Sequence, residues 1–204
     1  MKLNLGCGSQ FPDGWVNVDY SLGARFTKIP FFRAFNRQVK LFDLDWNEKI
    51  YLHNLTKKFP WPDLSANIVY SSHTLEHLSK EDGRKFLAEC YRVLCKNGII
   101  RIVVPDLRHM AIEYIDGRIC ADDFVEELGV LCGNTNHVLK DRLAPLFQFP
   151  HKCMYDQTRL IAILNEIGFE TATRSTFDSD IEAIELVELA GRTENAVIVE
   201  GRKR

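Results

Sequence analysis

The chain has no C-x-x-C pair, no apolar run of bilayer length and no surplus of positive charge. Its six cysteines (Cys7, Cys90, Cys95, Cys120, Cys132 and Cys153) are scattered, and none has a histidine at zinc-finger spacing, so the common structural zinc arrangements are excluded. They read instead as buried thiols acting as small hydrophobes. Leu5-Gly6-Cys7 has the look of a lipoprotein cleavage site, but no apolar stretch of signal length precedes it. Runs such as Ile102 to Val104 are far too short to cross a membrane, and a cytoplasmic protein without a transmembrane segment is expected. The balance of 26 Lys and Arg against 28 Asp and Glu, net −2, argues against generic nucleic-acid binding, which needs a basic domain. Internal repeats and low-complexity linkers are also missing, so the 204 residues are read as one domain, 1–204, long enough to bury a substantial core.

What is present begins at once. Leu3-Asn4-Leu5-Gly6-Cys7-Gly8 is a short apolar run ending in Gly-x-Gly, a strand turning into a loop where backbone must approach a ligand closely. Eleven positions after Gly8, Val16-Asn17-Val18 ends in Asp19. If the two runs are parallel neighbours, Asp19 lies beside the glycine loop at the carboxyl edge of the sheet, where a carboxylate can accept both hydroxyls of a ribose. That pairing predicts a nucleoside-containing cofactor. A dinucleotide fingerprint would need a third small residue at the sixth position of the motif, where Phe11 stands, and Pro12 opposes an immediate helix.

Further strand-like runs occur at Ile50–Leu52, Asn67–Tyr70, Ile99–Val104, Glu170–Arg174 and Ala196–Glu200, several of them separated by helical patterns. The alternation implies an α/β fold with a mostly parallel sheet and helices on its faces. Ser79 is a good N-cap for a helix whose stripe of Phe86, Leu87, Cys90, Val93 and Leu94 faces inward, and Asn97-Gly98 ends it. Asp156 and Gly168 bound a second helix with Leu160, Ile161, Leu164 and Ile167 on one side.

Two stretches break the pattern. Residues 25–40 interleave Arg25, Lys28, Arg33, Arg37 and Lys40 with four phenylalanines and contain no acid; they read as a helix with its arginines solvated, or as a surface for an anionic acceptor or a membrane. A phenylalanine-rich helix can also cover a second copy of the chain, so a homodimer is a candidate assembly. Residues 117–155 form a long insertion, with a helix near Ala121–Leu131, of the kind that closes over a ligand as a lid.

Taken in order, four motifs resemble the class I S-adenosylmethionine-dependent methyltransferases, in particular a compact small-molecule type. They are Leu3 to Gly8, Val18-Asp19, the run from Phe59-Pro60-Trp61-Pro62-Asp63 to Ser71-Ser72-His73-Thr74-Leu75-Glu76-His77-Leu78, and Tyr91 to Ile102 with its Arg92-Val93-Leu94-Cys95-Lys96-Asn97-Gly98 core. The resemblance implies a Rossmann-like three-layer sandwich with seven strands, the last inserted antiparallel. It implies S-adenosylmethionine as cofactor and S-adenosylhomocysteine as product. The implied donor contacts are Leu5, Gly6, Cys7, Gly8, Asp19, Tyr20, Asn54, Leu55, Ser71 and Ser72. Asn54 stands where relatives carry an acid for the adenine amino group, and its side-chain carbonyl can accept that bond without charge assistance. The separation of Gly8 from Asp19 is too short for a full helix, so residues 10–15 are expected as a loop or single turn.

Three residues are candidates for proton handling. His73 follows the fourth strand, Asp106 follows the fifth, and His151 opens a segment that resembles one closing over the acceptor, with Tyr155 placed to orient substrate. Asp106 also reads as a helix cap, and 151–156 as a loop packed on the sheet. His73 and His77 are four apart, but the helix starts only near Ser79, so no metal is expected; His77 and Glu76 read as local hydrogen-bonding groups. The function implied is methyl transfer to a small polar acceptor, a glycan precursor or another metabolite. The alternatives are a donor-binding partner or regulatory protein without catalysis, and a nucleotide-dependent oxidoreductase.

Overall fold

The computed structural model describes residues 1–31, 38, 47–130 and 150–204. Half of the basic aromatic segment, including Arg33, Phe35, Arg37 and Lys40, lies outside the described residues, as do Cys132 and residues 131–149 of the insertion. All seven expected strands form: β1 (Lys2–Leu5), β2 (Val16–Asp19), β3 (Tyr51–Leu52), β4 (Ala66–Ser72), β5 (Leu94–Pro105), β6 (Phe169–Thr173) and β7 (Ala196–Lys203). They build one sheet in the order β3-β2-β1-β4-β5-β7-β6. The pairings β1 to β2, β1 to β4, β2 to β3 and β4 to β5 are parallel, while β7 runs antiparallel to both β5 and β6. The chain order reverses at β1, between β2 and β4, and the carboxyl ends of such switch-point strands open a crevice for a ligand.

Helix α1 (Leu22–Phe26) follows β2, and α2 (Lys80–Val93) precedes β5. Beyond β5 come α3 (Leu107–Ile115), α4 (Ala121–Glu127), α5 (Gln157–Ile167) and α6 (Ala190–Thr193). The caps behave as the residues predict: Ser79 Oγ accepts from Asp82 N–H, Asp156 from Arg159 N–H, and Gly168 ends α5 at φ +117°. Two expected boundaries move together. Helix α2 ends at Val93 rather than at Asn97-Gly98, and strand β5 begins at Leu94 rather than Ile99, because Leu94 pairs with Ala66 and Asn97, at φ +64°, lies inside the strand.

Strand β5 is buried on both faces from Gly98 to Pro105, which is why that part reads as an apolar run broken by one charged residue, Arg101. Ile100, Ile102 and Val104 join the larger core with Phe86, Leu87, Leu160 and Leu164 from α2 and α5. Ile99 and Val103 face the other way, onto Trp15, Ile181, Ile184 and Val187. Arg101 lies on that second face with no solvent exposure. Its Nε and Nη2 donate to Glu188 at 2.8 Å each, Nη1 to Glu200 at 3.0 Å and to the Asp178 carbonyl at 2.8 Å, and Nη2 to the Ser175 carbonyl at 3.0 Å. Every guanidinium donor is thus satisfied, and the segment between β6 and β7 is pinned to the sheet. Removing the cation leaves the buried Glu188 carboxylate without its counter-charge, while Glu200 keeps Arg174, so Arg101→Ala should lose about 3–5 kcal/mol. Urea unfolding checks this, and adding Glu188→Gln to the Ala variant should recover part of the loss.

Candidate active site

Gly6 and Cys7 both turn their N–H groups onto the Val18 carbonyl, at 2.9 and 3.0 Å, so the end of β1 bends over β2. Gly6 sits at φ +76°, and a Cβ there would stand 2.0 Å from Thr74 Oγ1; only glycine lets the turn pack against the loop after β4. Gly8, at φ +54°, is different: apart from its own chain neighbours, no atom of the described residues lies within 4 Å of where its Cβ would be. The first glycine serves the fold and the second faces open space. No helix joins β1 to β2, in agreement with the short crossover expected.

Asp19, only 8% exposed, closes this turn. Gly8 N–H donates to its Oδ2 at 2.8 Å and Ser21 N–H to its Oδ1 at 2.6 Å. A carboxylate has about four acceptor positions, so two remain for a pair of vicinal hydroxyls. The open space beside Gly8 and the held carboxylate of Asp19 fit a nucleoside donor lying across the switch point. The Cys7 thiol next to them is inert, because burial first and the Asp19 charge second push its pKa up.

The other expected donor contacts separate into two kinds. Leu5 is fully buried, and its carbonyl accepts from Ser71 Oγ at 3.0 Å, so both residues tie β4 to β1. Ser72 lines a narrow cleft shared with Gly6, Cys7, Tyr70 and Arg192, and its buried hydroxyl has no hydrogen-bond partner among the described residues. Tyr20 is 45% exposed and covered on one face by the Arg25 guanidinium, 5.2 Å from the ring centre. Asn54 does not present the carbonyl expected of it: Oδ1 accepts from Thr56 N–H at 3.0 Å and from Thr56 Oγ1 at 2.9 Å, a turn that uses both lone pairs. Leu55 turns its side chain into the core with Phe59, leaving its backbone as the part able to meet a ligand.

The proton-handling candidates are also redistributed. The Asp106 carboxylate accepts from Arg108 N–H at 2.9 Å and caps α3. His73 holds a left-handed backbone, φ +49°, with its N–H on the Val103 carbonyl. Its Nε2 lies 2.7 Å from the Arg192 carbonyl and its Nδ1 3.4 Å from Glu76 Oε1. A carbonyl only accepts, so Nε2 carries a proton, and burial, which lowers the His73 pKa, is outweighed by the nearby Glu76 carboxylate and the Arg192 carbonyl, which raise it. Both ring nitrogens are therefore engaged, and His73 fastens the loop after β4 to α6.

His151 Nδ1 lies 2.8 Å from the Leu128 carbonyl, which assigns the proton to Nδ1 and leaves Nε2 as the neutral ring's lone pair. Tyr155, expected to orient substrate, is buried in the core, and its backbone pairs with Asp106. The residue the sequence undervalued is Glu76. It is fully buried on the 3-10 turn Leu75–His77, and neither carboxylate oxygen accepts a hydrogen bond. Its backbone carbonyl, instead, accepts from Lys152 and Cys153 N–H at 2.8 and 3.1 Å, holding the 151–155 segment against the end of β4.

With this geometry in hand, comparison with known proteins is direct. Residues 3–102 match the methyltransferase domain family. By sequence, no curated protein matches the chain. Among solved structures, the fold is similar to the PH0226 protein from Pyrococcus horikoshii OT3, with TM-score 0.54 and 13% identity over 99% of this chain and 81% of that one. It is also similar to a SAM-dependent methyltransferase from Archaeoglobus fulgidus (0.51, 16%, 98% and 85%) and to the YcgJ protein from Bacillus subtilis (0.51, 15%, 99% and 91%). The glycine turn, the acid ending β2 and the helix leading into β5 all fall inside the matched span, so residues 3–102 are similar to a methyltransferase domain, and the whole chain shares the fold of the SAM-dependent methyltransferase from Archaeoglobus fulgidus.

Proposed function

We propose that the chain binds S-adenosylmethionine across the ends of β1, β2 and β4 and transfers its methyl group to a small polar acceptor, a glycan precursor or a similar metabolite. The observation that carries this reading is the turn at Gly8, open on its ligand side and held by a carboxylate that keeps acceptor positions for ribose hydroxyls. The donor brings a methyl carbon on a cationic sulfur, a good leaving group, so little covalent help is asked of the protein. Its residues supply position: Asp19 holds the ribose, the backbone at Gly6 to Gly8 admits the methionine end, and Ser72 with Arg192 lines the cleft beside it.

His73 and Asp106 act through structure in this reading, since their side chains are already bound within the protein. The acceptor side is assigned to the 117–155 insertion, whose described start, α4, carries exposed Asp122, Asp123, Glu126 and Glu127. Among the described residues no helix is long and apolar enough to cross a membrane.

Calorimetric titration with S-adenosylhomocysteine tests the donor site. Asp19→Ala should weaken binding by about 1.5–3 kcal/mol, roughly ten- to a hundredfold. Unchanged affinity removes Asp19 from the site. Gly8→Val offers a second check: the strained φ costs about 1–2 kcal/mol of stability, while the side chain enters the donor's space and should lower affinity more than tenfold. Asp106→Ala should cost about 1 kcal/mol in urea unfolding through loss of the α3 cap and leave donor affinity within twofold; a large loss of affinity would return Asp106 to the binding site.

A further inference from the structure

Glu76, His77 and His151 each bring one ligand atom into a group whose members lie within 4.8 Å of one another. The two imidazole rings are 5.0 Å apart, centre to centre, and His77 Nε2 stands 3.9 Å from Glu76 Oε1. We propose that these three side chains form a site for a divalent transition-metal ion, zinc by the chemistry of the donor set.

Three separate observations lead there. First, Glu76 is a fully buried carboxylate with no hydrogen bond to either oxygen, although burying such a charge is costly unless a cation or several donors compensate it. The His73 and His77 rings stand 3.4 and 3.9 Å from Oε1, and Oε2 has no hydrogen-bond partner among the described residues. Second, His151 is prepared as a ligand. Its Nδ1 proton is directed to the Leu128 carbonyl, the arrangement that aims Nε2 of a metal-binding histidine and raises its basicity. Its backbone N–H is held by the Gly129 carbonyl at 2.9 Å, and a Cβ on Gly129 would stand 2.7 Å from the His151 ring, so the turn after α4 is shaped to seat that imidazole.

Third, the donors themselves are two nitrogens and one carboxylate oxygen, the set with which zinc keeps a fourth position open. Ligand atoms around a tetrahedral zinc sit about 3.3–3.5 Å apart for bonds of about 2.0–2.1 Å. A side-chain movement on the order of 1 Å therefore closes the group on an ion. Magnesium and calcium, which prefer all-oxygen shells, fit this set poorly.

The ion would join elements distant in sequence: the turn after β4 and the segment that follows the insertion. It would neutralise Glu76, fasten residues 151–153 over the carboxyl edge, and leave one coordination position for water or an oxygen of a ligand. This inference does not depend on the methyl-transfer reading, and its test needs neither donor nor acceptor.

Chelator-treated protein is titrated with Co2+, followed by visible absorption, and with Zn2+ against a chromophoric chelator, with thermal melts alongside. One equivalent should bind, the cobalt bands should lack thiolate charge transfer, and zinc should raise the melting temperature. His151→Ala, a partly exposed position whose loss the fold should tolerate, is expected to weaken both ions at least tenfold and abolish the thermal shift. His77→Ala and Glu76→Gln should do the same, with far-ultraviolet circular dichroism confirming their folding. Less than one equivalent bound by the unaltered protein overturns the proposal. So does a cobalt spectrum of thiolate type, or a folded His151→Ala that binds as tightly as the parent.

Discussion

The Asp19 carboxylate is the point on which the proposed ligand-binding edge depends. By accepting one N–H from the glycine turn after β1 and another from the start of α1, it joins the ends of two neighbouring parallel strands through a single ionised group. Charge-assisted bonds of this kind are stronger than neutral ones, and here they add to the Gly6 and Cys7 bonds to the Val18 carbonyl that bend the same turn. Gly6 and Gly8 both have positive φ, a conformation with little intrinsic preference for one geometry, so an anchor is required to select it. The same carboxylate is then already oriented when a ligand arrives, and its remaining acceptor capacity needs no reorganisation.

The end of β4 carries a second, less familiar arrangement. Thr74 fills the place that a side chain at Gly6 would take, so the glycine turn and the loop after β4 are mutually shaped. His73, in a left-handed conformation, is fastened to the Arg192 carbonyl on one side and set against Glu76 on the other. Non-glycine residues in that region of backbone space tend to sit where surrounding contacts over-determine them, and such places are often functional. The segment from His151 to Cys153 docks on the same turn through the Glu76 carbonyl, which brings the end of the long insertion to the ligand edge. Donor loop, β4 end and insertion are thereby in one continuous set of contacts.

On the far face of the sheet, Arg101 does the corresponding work for stability. Its five donors are all used, and they hold Ser175, Asp178, Glu188 and Glu200 around one buried cation. From the sequence this arginine is merely an interruption in an apolar strand. Its role emerges only when β7, antiparallel to β5, places Glu200 opposite it.

What the sequence determined alone was whatever is encoded locally. Apolar runs of strand length, helix caps at Ser79 and Asp156, the glycine stop at Gly168 and the early Gly-x-Gly followed by Asp19 each rest on a residue acting on its own few neighbours, and each forms as read. Tertiary structure decided the partners. Asn54 has its amide oxygen turned to Thr56 rather than outward, Asp106 spends its carboxylate on a cap, and Tyr155 packs into the core, because each could satisfy itself in more than one way. The grouping of Glu76 and His77 with His151, some seventy positions away, had no local signature at all. Spacing reports which residues share a helix face or a strand end, whereas a site assembled from two loops depends on how the sheet and its insertion are packed.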